Sequence, residues 1–150
     1  MAVFRYKMQN ILNIKEKLEN QEKQNFALMR ARLSEEEEKL EKLKLRREEI
    51  ALEAKKMRMD GINVLKIKEN SALAEYIDGE IKSQMVRVTT AQKNLDSAAK
   101  KMQKAIQERK IQEKLKEKAY DEYLIEENLA EAKEIDQLTS YTYGQKIKEQ

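Results

Sequence analysis

One stretch interrupts an otherwise continuous helical pattern: Met57-Arg58-Met59-Asp60-Gly61-Ile62-Asn63-Val64. Dozens of residues on either side read as helix, and the chain holds no proline and three glycines. Gly61 accepts the left-handed backbone that ends a helix, and Asn63 can cap the next one. A single break of this kind, near residues 60–63, predicts an all-α, long antiparallel two-helix coiled-coil hairpin. The bounds expected are a helix over 4–59, a turn at 60–63, a helix over 64–138 and a frayed tail at 139–150, all in one coiled-coil domain. Charged residues make up 39% of the chain and aromatics 5%, so apolar area can be buried only along a seam between helices.

On the first helix Phe4, Met8, Ile11, Leu18, Met29, Leu33, Leu40, Leu43, Ile50, Ala54 and Met57 keep steps of three and four, the heptad rhythm. Lys15, Glu22, Glu36 and Arg47 hold polar places in that seam, which weaken it but help set its register. The stripe shifts by one residue near Asn25 and Phe26, where a change of register is expected. After the turn, Leu73, Ile77, Ile81, Val88, Ala91, Leu95, Ala98 and Met102 carry the seam, followed by Ile111, Leu115, Ala119, Ile125, Leu129, Ala132 and Leu138. Asp78-Gly79 is read as a tolerated helical glycine, because the seam runs through it. The heptad rhythm stops at Thr139.

A turn centred at 61–62 pairs residues whose numbers total about 123. Phe4 then meets Ala119 and Tyr120, and Phe4, Tyr6, Tyr120 and Tyr123 gather at the open end. Residues 121–138 of the second helix have no counterpart on the first, an overhang of about 27 Å. They are acidic, with Lys133 as the one base, yet Leu124, Ile125, Leu129, Ala132, Ile135 and Leu138 keep an apolar stripe. Such a stripe calls for an external partner, the plainer alternatives being that the end frays or packs in a crystal or homodimer.

Cysteine and histidine are both absent, which removes the common zinc and iron ligands and any histidine-assisted nucleophile. No phosphate-binding GxxxxGK[ST] loop exists. The expectation is therefore no enzyme, no catalytic residue, no cofactor and no metal. No run approaches the roughly 20 apolar residues of a membrane span, and the first residues lack a secretory core. A cytoplasmic protein is expected. Net charge is +3, too balanced to make nucleic acid the main partner. Two plainer readings stay open: a generic structural coiled coil, and a nucleic-acid-binding arm built on the basic run from Lys100 to Lys118.

The chain resembles the flagellar export protein FliJ family. Its opening from Val3 to Glu19 has the family's aromatic-basic start followed by an apolar pair and a charged run. Gly61-Ile62 followed by Leu73-Ala74-Glu75-Tyr76-Ile77 resembles its tip and return. Gln107 to Lys118 and the acidic Glu126-Glu127 resemble its closing helix. The resemblance implies an adaptor of the bacterial flagellar type III export apparatus. It would bind the export ATPase ring through the end holding the termini, here Phe4, Tyr120, Ile125 and Leu129. It would bind the export gate protein FlhA through the tip side, where an apolar pair implicated in docking matches Leu73 and Ile77, with Tyr76 beside them. It also implies binding of export chaperones, a single copy, and peripheral attachment to the inner face of the cell membrane through protein partners.

Overall fold

A computed structural model describes residues 3–61 and 63–149, without the Glu149 side chain. Ile62, inside the expected turn, and Gln150, at the end of the expected tail, lie outside the described residues. Two helices form: α1, Gln9–Met59, and α2, Val64–Glu149. They pack on one another as an antiparallel hairpin, as the single break implies. At the break, Asp60 donates its N–H to the Lys56 carbonyl 3.1 Å away and closes α1. Gly61 follows at φ +114°, where a Cβ would be strained. Asn63 then caps α2: its side-chain Oδ1 accepts the Lys66 N–H at 3.4 Å and its carbonyl accepts the Ile67 N–H at 3.1 Å.

The described residues fall into two compact units. One comprises 20–104, the other 1–19 with 105–150. In the unit that contains the turn, where Asn25 and Ala99 are half-buried beside the seam, the regularly spaced covered positions of α1 are Glu22, Phe26, Met29, Leu33, Glu36, Leu40, Leu43, Arg47, Ile50, Ala54 and Met57. Those of α2 are Ile67, Asn70, Ala74, Ile77, Ile81, Gln84, Val88, Ala91, Leu95, Ala98 and Met102. Steps of three and four run through both sets without a slip, which is the coiled-coil seam. Ile50 is fully buried. Ala91 and Ala98 are buried in the small-residue stretch, where little side chain stands between the helices. Polar contacts cross this seam: Arg47 Nε donates to Asp78 Oδ1 at 2.8 Å, Gln84 Nε2 to the Glu36 carbonyl at 2.9 Å and also to the Glu36 carboxylate, and Asn70 Nδ2 to the Ile50 carbonyl at 3.4 Å.

In the second unit the seam positions are Phe4, Tyr6, Leu12, Lys15 and Glu19, against Ala105, Arg109, Gln112, Lys116, Ala119 and Tyr123, with Gln9, Ile106, Glu108 and Glu127 half-buried beside them. Beyond Glu127, all described α2 side chains are exposed.

Several boundaries and seam places differ from the sequence reading. Helix α1 begins at Gln9, not at residue 4: residues 3–6 are non-helical, a turn occupies Lys7 and Met8, and Phe4 lies across on α2. Helix α2 continues through 139–149. Its Thr139 and Thr142 hydroxyls bond back to the Ile135 and Leu138 carbonyls at 2.8 and 2.9 Å, and Gln145 bonds Tyr141 at 2.9 Å. No proline stands there to stop it. The expected register change near Phe26 does not occur. The seam of α1 keeps one phase back to Leu12 and Glu19, which leaves Met8, Ile11 and Leu18 exposed. Leu73, Ile111 and Leu115 likewise lie outside the α2 seam, whose places there belong to Ala74, Gln112 and Lys116.

Gly79 sits inside α2 with open space where its Cβ would point. Gly79→Ala is therefore expected to stabilise the chain by about 0.5–1 kcal/mol. Gly61→Ala should cost about 1–2 kcal/mol through backbone strain. Chemical denaturation of the two variants tests both signs.

Candidate docking surfaces

The open end is built from the residues before α1 and the middle of α2. Phe4 packs edge-on against Tyr120 with ring centroids 5.2 Å apart, and against Tyr123 at 5.4 Å. Tyr120 and Tyr123 stack at 6.2 Å. Aromatic pairs of this geometry add specific packing to their area burial. Tyr6 donates its hydroxyl to Gln112 Oε1 at 3.2 Å. Partial burial, then the neighbouring Glu127 and Tyr120, raise the Tyr123 phenol above its ordinary range. The folded state thus favours the neutral phenol; this contribution is complete below the unfolded value and is lost as pH rises past it.

Next to the trio the seam is mostly polar. Glu19, 4% exposed, lies against the Arg109 guanidinium, which also reaches Glu113 at 2.8 Å. Hydrogen bonds to Glu113 and then Glu19 raise the Arg109 pKa. Lys15 pairs with Glu108 at 3.0 Å. The Glu19 and Glu113 carboxylates thus occupy Arg109, one base of the run from Lys100 to Lys118. A buried charge is tolerable only when paired, so the ladder fixes which residues face each other rather than adding much net stability.

Two of the four residues expected at the ATPase end, Phe4 and Tyr120, touch each other. Ile125 and Leu129 stand further along α2, and both are exposed. Leu124, Ile135 and Leu138 share that exposure, and so do Tyr141, Tyr143 and Ile147 on the added helical turns. The heptad rhythm stops at Thr139 and so carries no signal for the last three, whereas the absence of proline lets the helix run on.

The tip-side residues divide. Ile77 is 8% exposed and belongs to the intramolecular seam, whereas Leu73 is 37% and Tyr76 63% exposed on the outer surface of α2. Leu73 and Tyr76 are three apart and lie on one face. Among the described residues there is no group of three or more His, Cys, Asp or Glu placed to hold a metal ion, and no helix long and apolar enough to cross a membrane.

Comparison with known proteins agrees with this architecture. The family model described as flagellar FliJ protein matches residues 4–148. No curated protein matches the chain. Among solved structures, one described as a YscO homolog, CT670, from Chlamydia trachomatis is similar with a TM-score of 0.54 at 21% identity. The match covers 99% of this chain and 100% of that one, and at this identity it speaks to the fold alone.

Glu19→Ala should lower Tm, since it leaves Arg109 facing the seam without its cross-helix carboxylate. Glu19→Leu combined with Arg109→Leu should restore or exceed the original Tm. Thermal melts of the two variants, read by circular dichroism, check the pair.

Proposed function

Because the chain belongs to the flagellar FliJ protein family, a component of type III protein export, we propose that it is a non-enzymatic adaptor of the flagellar export apparatus. Its open end docks on the export ATPase, its tip side meets the export gate protein FlhA, and it escorts export chaperones between cycles. It works in the cytoplasm, as a single copy when engaged, and is held near the inner face of the membrane through these protein partners.

The observation that carries this reading is the unpartnered length of α2. After Tyr123 the helix continues to Glu149 and presents Leu124, Ile125, Leu129, Ile135 and Leu138 to solvent. Exposed aliphatic side chains at helical spacing are costly in water and suit a groove or ring on another protein. The acidic residues among them, Asp121, Glu122, Glu126, Glu127, Glu131, Glu134 and Asp136, favour a basic receiving surface. Any change in ATP turnover would be exerted on the ATPase, since this chain has no phosphate-binding loop.

At the tip side the division of labour follows burial. Leu73 and Tyr76 offer the contact surface, and Ile77 holds the two helices together beneath them.

Removing everything after Glu127 keeps every seam position named above and deletes Asn128 onward. The truncated chain should lose its stimulation of the export ATPase while retaining its melting transition; full stimulation by the shortened chain would rule the ATPase reading out. At the tip, Leu73→Ala with Tyr76→Ala should weaken gate binding at least tenfold without lowering Tm. Ile77→Ala should instead cost about 2–4 kcal/mol of stability. Calorimetric titration with the gate's cytoplasmic domain, paired with melts, separates the two effects.

A further inference from the structure

We infer that the unit formed by residues 1–19 and 105–150 has a face built to pair with a second copy of this chain, α2 against α2 in antiparallel order. The seam there takes the heptad positions a and d: Leu12 and Glu19 are a and Lys15 is d on α1, while Arg109, Lys116 and Tyr123 are a and Ala105, Gln112 and Ala119 are d on α2. Around a helix, positions g and c lie beside d. In an antiparallel pair, the g positions of both helices fall on one side. The ion pair of Lys15, a d residue, with Glu108, a g residue, at 3.0 Å marks that side.

Ile11 and Leu18 are g and Ile14 is c on α1; Leu115 and Leu129 are g and Ile111 and Ile125 are c on α2. All seven are exposed. This inverts the usual arrangement: charged residues fill the seam, and the larger aliphatics line the outside. Cross-helix register sets Ile11 level with Leu115 and Ile14 level with Ile111, so the two stripes border one shallow apolar channel.

What identifies the occupant is self-complementarity. When a second α2 runs antiparallel across this face with the two-fold axis level with Tyr120, Ile111 meets Leu129 of the other copy and Leu115 meets its Ile125. Lys118 meets its Glu122. Each contact occurs twice, as an isologous interface requires. Every g or c residue of α2 from Ile111 to Leu129 finds an apolar or oppositely charged counterpart. A three-residue slip would set Leu115 against Glu122 and Ile111 against Glu126, breaking the apolar match, and Lys118 against Ala119, breaking the charge match. The pairing covers Ile125 and Leu129. It therefore excludes ATPase docking through the same side chains, and the pair is a resting form distinct from the engaged single copy. The inference stands on the face itself and holds whether or not the ATPase reading does.

The test uses the full chain in sedimentation equilibrium over a concentration series. The unmodified chain is expected to shift from 17.7 kDa toward twice that mass as concentration rises. Ile111→Glu and Leu129→Lys should each weaken the pairing at least tenfold while leaving helicity unchanged by circular dichroism, because neither residue is in the seam. Mixing the two variants should restore the pair, since Glu at 111 then faces Lys at 129 of the other copy and the remaining Ile111 and Leu129 face each other. A chain that stays at single-copy mass throughout overturns the inference. So does a pair that neither substitution weakens, or one that mixing the variants does not restore.

Discussion

Packing in this chain depends on the two helices presenting one phase of covered positions to each other. In α1 that phase runs in steps of three and four from Leu12 to Met57, and in α2 from Ile67 to Tyr123. Leu33, Leu40, Leu43 and Ile50 face Ile77, Ile81, Val88 and Leu95 in the unit containing the turn. Because a helix is stiff, residues on the same helix follow the phase its large apolar side chains impose, even where their own chemistry argues for another. The turn sets the pairing: Gly61 at positive φ and the Asn63 cap reverse the chain within a few residues.

The unit holding residues 1–19 and 105–150 shows what that constraint does. Its seam is held by Leu12 and the aromatic trio at the apolar places and by Glu19, Arg109, Lys15 and Glu108 at the charged ones. Such contacts add modest net stability but penalise mispairing, because a slipped register would bury a charge without its partner. The result is an end whose alignment is well specified and whose aliphatic side chains are left on the outside.

Those outward residues link the fold to its role in protein export. A two-helix hairpin encloses little, so a docking surface must lie on its exterior, where Leu73 and Tyr76 stand exposed on one unit and Leu115, Ile125 and Leu129 on the other. The same exterior cannot be left bare at high concentration without cost, and a face matched to itself gives it cover.

The amino-acid sequence by itself determined the two-helix class, the single reversal, the Asn63 cap, and membership of an export-protein family. These are local or compositional properties: a lone Gly-Ile-Asn break, an absence of proline, and ordered stretches of similar residues. Only the tertiary structure decided which of two neighbouring stripes is the seam. Met8, Ile11 and Leu18 offered heptad spacing as good as that of Leu12, Lys15 and Glu19, and more apolar area. Hydropathy read within one segment favoured the first set. The phase carried along α1 favoured the second, and the partner charges of Arg109 and Glu108 made it tolerable. The same limit explains Ile77 and Leu73: periodicity placed both in the seam, whereas a seam one residue wide at each step admits Ile77 and Ala74 and leaves Leu73 outside. The pairing partner of a helix is a long-range fact, and no stretch of sequence states it alone.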